Sequence, residues 1–84
     1  MHPRVIAVEV IPPYGLRLTF ADRSVGTLDA RAWVEAEDGI FAELRDPALF
    51  AKVRVDAEAE TIVWPNDADV DPEVLYEEAH RVVE

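Results

Sequence analysis

Hydrophobic and polar positions alternate most cleanly over residues 16–21, where Leu16, Leu18 and Phe20 fall on one side and Arg17, Thr19 and Ala21 on the other. A period of two built from branched and aromatic residues is the pattern of a strand with one buried face. The run before it behaves alike: Ile6, Val8 and Val10 alternate with Val5, Ala7, Glu9 and Ile11, which predicts a strand over 4–11. Pro12-Pro13-Tyr14-Gly15 stops that strand, because prolines donate no ladder hydrogen bonds and Gly15 permits a turn. Asp22-Arg23 then reads as a two-residue hairpin loop, without the glycine such loops favour. The third run, Ser24 to Ala30, changes phase, since Val25 and Leu28 are three apart and a regular strand cannot place both on one face. A bulge near Gly26-Thr27 is the expected remedy. The three runs make a meander.

Asp29 to Glu37 predicts a short helical or irregular segment anchored by Trp33 and Val34 and ended by Asp38-Gly39. Phe41, Leu44, Leu49 and Phe50 are assigned to the core. Asp46-Pro47 is a cap followed by proline at the first helical position, so a short helix over 47–51 is expected. Val53 to Asp56 and Thr61 to Trp64 read as a hairpin that pairs Val53 and Val55 with Ile62 and Trp64 across the turn Ala57–Glu60. Pro65 closes that ladder. Asp71-Pro72 repeats the cap-and-proline start, and Leu75, Tyr76, Ala79, Val82 and Val83 form one apolar stripe on a helix of about three turns. Glu73 in its first turn suits the helix dipole, as do His80 and Arg81 near its end. The order predicts an α+β fold: a mostly antiparallel five-stranded sheet, built of a meander and a hairpin joined by short helical segments, with a C-terminal helix. Its 84 residues predict a single domain over 1–84.

Charge changes the picture more than composition does. The chain carries a formal net charge of −10. Residues 1–55 hold eight acidic against seven basic side chains, whereas residues 56–84 hold ten acidic side chains against Arg81 alone. Such a surface repels nucleic acid, whose binding requires lysine and arginine to displace counterions, and it disfavours anionic membranes. No run approaches the roughly 18 apolar residues of a membrane span. A basic protein partner is the natural complement. There is no cysteine, which suits a reducing cytoplasm and removes disulfides, thiolate metal sites and a cysteine nucleophile.

The candidate chemistry is thin. Asp67, Asp69 and Asp71 have the spacing of a calcium loop with Glu78 at the twelfth position, but Pro72 stands where such a loop needs glycine. Asp71 is better spent capping a helix. His2 and His80 show no zinc-ligand spacing, Ser24 lacks a nucleophile-elbow context, and the glycines form no phosphate loop. No cofactor, metal site or catalytic set is expected, and the chain is not expected to be an enzyme.

Three blocks carry a resemblance: L-R-L-T-F-A-D (16–22), F-A-E-L-R-D-P-A-L-F-A-K-V-R-V-D (41–56) and W-P-N-D-A-D-V-D-P-E-V-L-Y-E (64–77). They are similar to the bacterial family catalogued as domain of unknown function 2442, which often carries glycine where Asp67 stands. The resemblance implies a small α+β domain, in some members followed by a helix-turn-helix DNA-binding domain. No such extension is expected here, as the chain stops at Glu84. It also implies gene neighbourhoods suggestive of toxin–antitoxin pairs, and no enzymatic activity. The expectation is therefore an antitoxin-like interaction module that meets a small basic protein through Trp33, Asp67, Asp69, Glu73 and Glu77. The alternative is a regulatory or ligand-sensing domain, for which an enclosed apolar pocket near Trp64 and Tyr76 is expected. The oligomeric state is left open, a dimer included.

Overall fold

The computed structural model describes residues 3–35 and 39–80. The meander forms as β1 (Val5–Ile11), β2 (Gly15–Phe20) and β3 (Val25–Asp29), all antiparallel and in that spatial order. Leu16, Leu18 and Phe20 are fully buried, as their alternation requires. β4 (Arg54–Asp56) and β5 (Thr61–Val63) make the second hairpin, with Val55 opposite Ile62. The five strands are thus divided between a three-stranded and a two-stranded sheet. One backbone bond, from the Val5 N–H to the Glu60 carbonyl at 3.1 Å, joins them. The next residue along β1 is bulged, and a bulge interrupts a ladder locally.

That bulge falls in β1 and not in β3. The β1–β2 register slips between Val5 and Ala7, so Val5 turns into the core while Ile6 is 50% exposed. β3 instead pairs regularly with β2, Leu18 opposite Gly26 and Leu16 opposite Leu28. Gly26 and Leu28 therefore share the inward face, and Val25 points out, 48% exposed. The phase problem in the sequence is solved by a buried glycine. The β2–β3 connection is also longer than the expected Asp22-Arg23 loop, because Arg23 adopts a left-handed φ of 73° and its N–H returns to the Phe20 carbonyl at 2.9 Å.

Both cap-and-proline starts form as the sequence requires. Asp46 accepts from the Ala48 N–H at 3.0 Å ahead of α2 (Pro47–Phe50), and Asp71 accepts from the Glu73 N–H at 2.8 Å ahead of α3 (Pro72–Ala79). Between β3 and α2 lie α1 (Arg31–Val34) and a 3-10 helix over Ile40–Arg45. Val53 and Trp64 lie outside the strands. His2, the Asp38 stop and the Arg81, Val82 and Val83 positions fall outside the described residues.

The core gathers on Trp64. Its ring is fully buried, its Nε1–H donates to the Phe50 carbonyl at 2.9 Å, and Phe41 and Phe50 pack on it with centroids 6.0 and 5.5 Å away. Trp33 extends this row of rings toward the surface, 5.9 Å from Phe41, and Tyr14 extends it the other way, 5.4 Å from Phe50. Burying a ring of this size removes about 150–250 Å² from water and dominates the local energetics. A second aromatic group joins β2 to α3: Phe20, Tyr76 and His80, with Tyr76 and His80 stacked at 4.1 Å.

Candidate functional site

After Trp64 the chain doubles back. Pro65 ends the ladder, the Asp67 N–H bonds the Trp64 carbonyl at 2.9 Å, and Val63 bridges to Asp69 antiparallel to β5. Along the returning segment Ala68 is buried and Val70 half-buried, while Asp67, Asp69 and Asp71 point outward. The carboxylate run is the wet side of an extended strip whose dry side is core. Asp67 sits at its tip with φ 69°, the backbone region in which a glycine is unstrained.

Against this strip lies a groove of about 500 Å³ lined by Trp33, Phe41, Val70, Val74, Asp69 and Asp71 among others. Its floor is apolar and one rim is acidic. Three local devices hold its walls. The Arg45 guanidinium donates from Nε to the Val34 carbonyl at 2.6 Å and from Nη2 to the Glu35 carbonyl at 3.4 Å, which satisfies the end of α1 and ties it to the 3-10 helix. The Asn66 amide donates to the Ile40 carbonyl at 3.1 Å and to Glu43 at 2.8 Å, while its oxygen accepts from the Ala68 N–H at 3.1 Å. The buried Thr61 hydroxyl donates to the Val70 carbonyl. The W-P-N block thus seats one wall against the other.

A second concavity, about 340 Å³, is lined by Pro3, Glu73, Tyr76 and Glu77 and shares Asp71 and Val74 with the first. The expected binding residues therefore separate. Trp33 and Asp69 line the groove, Glu73 and Glu77 line the adjoining concavity, and Asp67 lines neither of the two. Among the described residues no hydrogen bond or ion pair engages the carboxylates of Asp69, Glu73 or Glu77. Phe41, expected as core, is half-buried and forms part of the groove floor. Val70 and Val74 were not legible as site residues, although the alternation of Ala68 and Val70 with three aspartates was a signal for the strip.

Another polar cluster lies where the β2–β3 turn meets α3. Asp22 Oδ1 accepts from the Ser24 hydroxyl at 2.6 Å and the Ser24 N–H at 2.8 Å, and the Tyr76 hydroxyl donates to Oδ2 at 2.7 Å. The bonds from Ser24, then Tyr76, pull the Asp22 carboxyl from 3.8 down to about 2. The bond to Asp22 raises the Tyr76 phenol above its ordinary value. These groups satisfy one another and clasp the turn to the helix. Trp64 is itself core and not the wall of an enclosed pocket. Among the described residues no three His, Asp or Glu side chains gather as metal ligands, and no helix is long and apolar enough to cross a membrane.

Fold and site together define a small acidic α+β protein with a walled apolar groove. The chain matches the family model described as Protein of unknown function (DUF2442) over residues 5–81, and it belongs to that family. Comparison with curated proteins and with solved structures returns no match.

Proposed function

We propose that the protein is a non-enzymatic interaction module whose acidic face, Asp69 to Glu77 together with the Trp33 groove, receives a small basic protein, as the acidic member of an antitoxin-like pair. The observation that carries this reading is the coincidence of an apolar groove with the carboxylates of Asp69, Glu73 and Glu77, which no other described residue engages. Aromatic anchors set in pockets supply most of the energy of protein interfaces, and unpaired like charge around them selects and steers an oppositely charged partner. The polar cluster of Asp22, Ser24, Tyr76 and His80 is occupied with itself, which favours a binding role over a catalytic one.

Co-purification from the native host tests the reading, with the wild-type chain beside an Asp69→Lys, Glu73→Lys, Glu77→Lys variant whose melting is checked first. A basic protein recovered by the wild type and reduced about tenfold or more with the variant, an effect that added salt mimics, is the expected result. Recovery of no basic partner, or equal recovery by both chains, counts against it. A ligand-sensing role is the second reading, because a groove of about 500 Å³ is of a size for small ligands. Thermal stabilisation by a small apolar metabolite, lost in Trp33→Ala, would favour it.

A further inference from the structure

We infer that the groove and the adjoining concavity act as one bipartite track for a basic peptide segment with a single large apolar anchor. The anchor seats on Trp33, Phe41 and Val70, and the following lysines or arginines cross Asp71 to reach Glu73 and Glu77. This rests on the interaction reading above and specifies what the surface recognises.

The two concavities adjoin at Asp71 and Val74, which line both. Their chemistry differs along the track. The first has a floor of two aromatic rings and two valines. The second is acidic, with Glu73 and Glu77 on one side of α3 about 6 Å apart along its axis at 1.5 Å per residue. Val74, 43% exposed, stands between them and the groove, where the stem of a lysine or arginine can lie on it while the charged head reaches a carboxylate. Asp71 spends Oδ1 on the Glu73 N–H, and a carboxylate's second oxygen is still an acceptor. The walls are already held by Arg45, Asn66 and Thr61, and a preformed site loses less to ordering on binding. A second copy of this chain is a poor occupant, since its net charge of −10 repels the track. A basic segment without an anchor leaves the aromatic floor wet.

The probe is a dye-labelled synthetic peptide of one tryptophan followed by a run of lysines, titrated against the intact chain by fluorescence anisotropy. Two comparators replace the tryptophan by serine or the lysines by glutamates. The parent peptide is expected to bind about tenfold or more tighter than either, a difference of about 1.4 kcal/mol. Trp33→Ala should erase the advantage of the parent over the serine peptide. Val74→Lys, at a site exposed enough to spare the fold, should weaken the parent through charge and bulk. Equal binding of parent and serine peptides, or an unchanged parent affinity in both variants, overturns the track. If neither lysine peptide binds while a basic partner still co-purifies through Asp69, Glu73 and Glu77, the track falls and the interaction reading stands. If neither binds and no partner co-purifies, both fall.

Discussion

Replacing Gly26 by alanine tests the position of α3, and with it the position of the acidic face. A Cβ added at residue 26 would overlap the Ala79 carbonyl oxygen and lie 2.7 Å from the Ala79 Cβ and 2.9 Å from its carbonyl carbon. None of these atoms can rotate away, because they are backbone or the first carbon of a side chain. Relief requires the end of α3 to retreat by about 1 Å, since carbon and oxygen repel steeply inside ordinary contact. Overpacking of this kind costs about 1–3 kcal/mol, and the stiffer unfolded chain returns about 0.4–1 kcal/mol. The net expectation is a loss of about 1–2 kcal/mol, seen as a melting temperature lower by about 5–15 °C for a chain of this size. Urea denaturation followed by tryptophan fluorescence measures it. Thr27→Ala, on the outward face of β3, is the control and should change stability by less than about 0.5 kcal/mol. If Gly26→Ala is as stable as wild type, α3 does not lie on Gly26, and the placement of Glu73, Val74 and Glu77 beside the groove loses its basis.

Three further outcomes are expected. Trp64→Phe removes the Nε1 bond to the Phe50 carbonyl, which keeps its bond from the Val53 N–H at 3.3 Å, and leaves part of the indole's volume unfilled. It should lose about 1–2 kcal/mol in urea melts, and Trp64→Ala about 3–5 kcal/mol; a Trp64→Phe change near zero would refute both the bond and the close fit of the ring. Asp67→Gly exchanges relief at φ 69° for a freer unfolded chain and should fall within about 0.5 kcal/mol of wild type, whereas Asp67→Val should lose about 1–2 kcal/mol; a large loss with glycine would instead reveal work done by the carboxylate. Asp22 has its folded pKa lowered from 3.8 to about 2, so its stabilising effect is complete above pH 4 and fades as the pH falls toward 2. An acid titration of stability in Asp22→Asn should lack that part of the slope, and an unchanged slope would refute the clasp.

Much of this molecule is local chemistry and therefore legible in order along the chain. The alternation of Leu16, Leu18 and Phe20 requires a strand with one buried face. Asp46-Pro47 and Asp71-Pro72 start helices because a short carboxylate and a fixed proline φ act within three residues of themselves. The W-P-N block and its neighbours carry the family resemblance, and the concentration of acid after residue 55 is read by counting alone. Each of these rests on interactions between near neighbours or on charge, which needs no fold to be counted.

The tertiary structure decided the rest. Gly26 read as the site of a bulge and is instead the point where β3 admits α3, which no neighbour in sequence could reveal. The bulge belongs to Ile6 because Val5 is drawn into the core beside Phe20. Asp67 takes a left-handed backbone position, and Trp33, Asp69, Glu73 and Glu77 line two adjoining concavities. That groove has walls far apart in sequence, held by Arg45, Asn66 and Thr61 reaching across the fold. Burial and concavity are properties of the packed whole, so a sequence can state which residues seek cover but not which of them are left to share a surface.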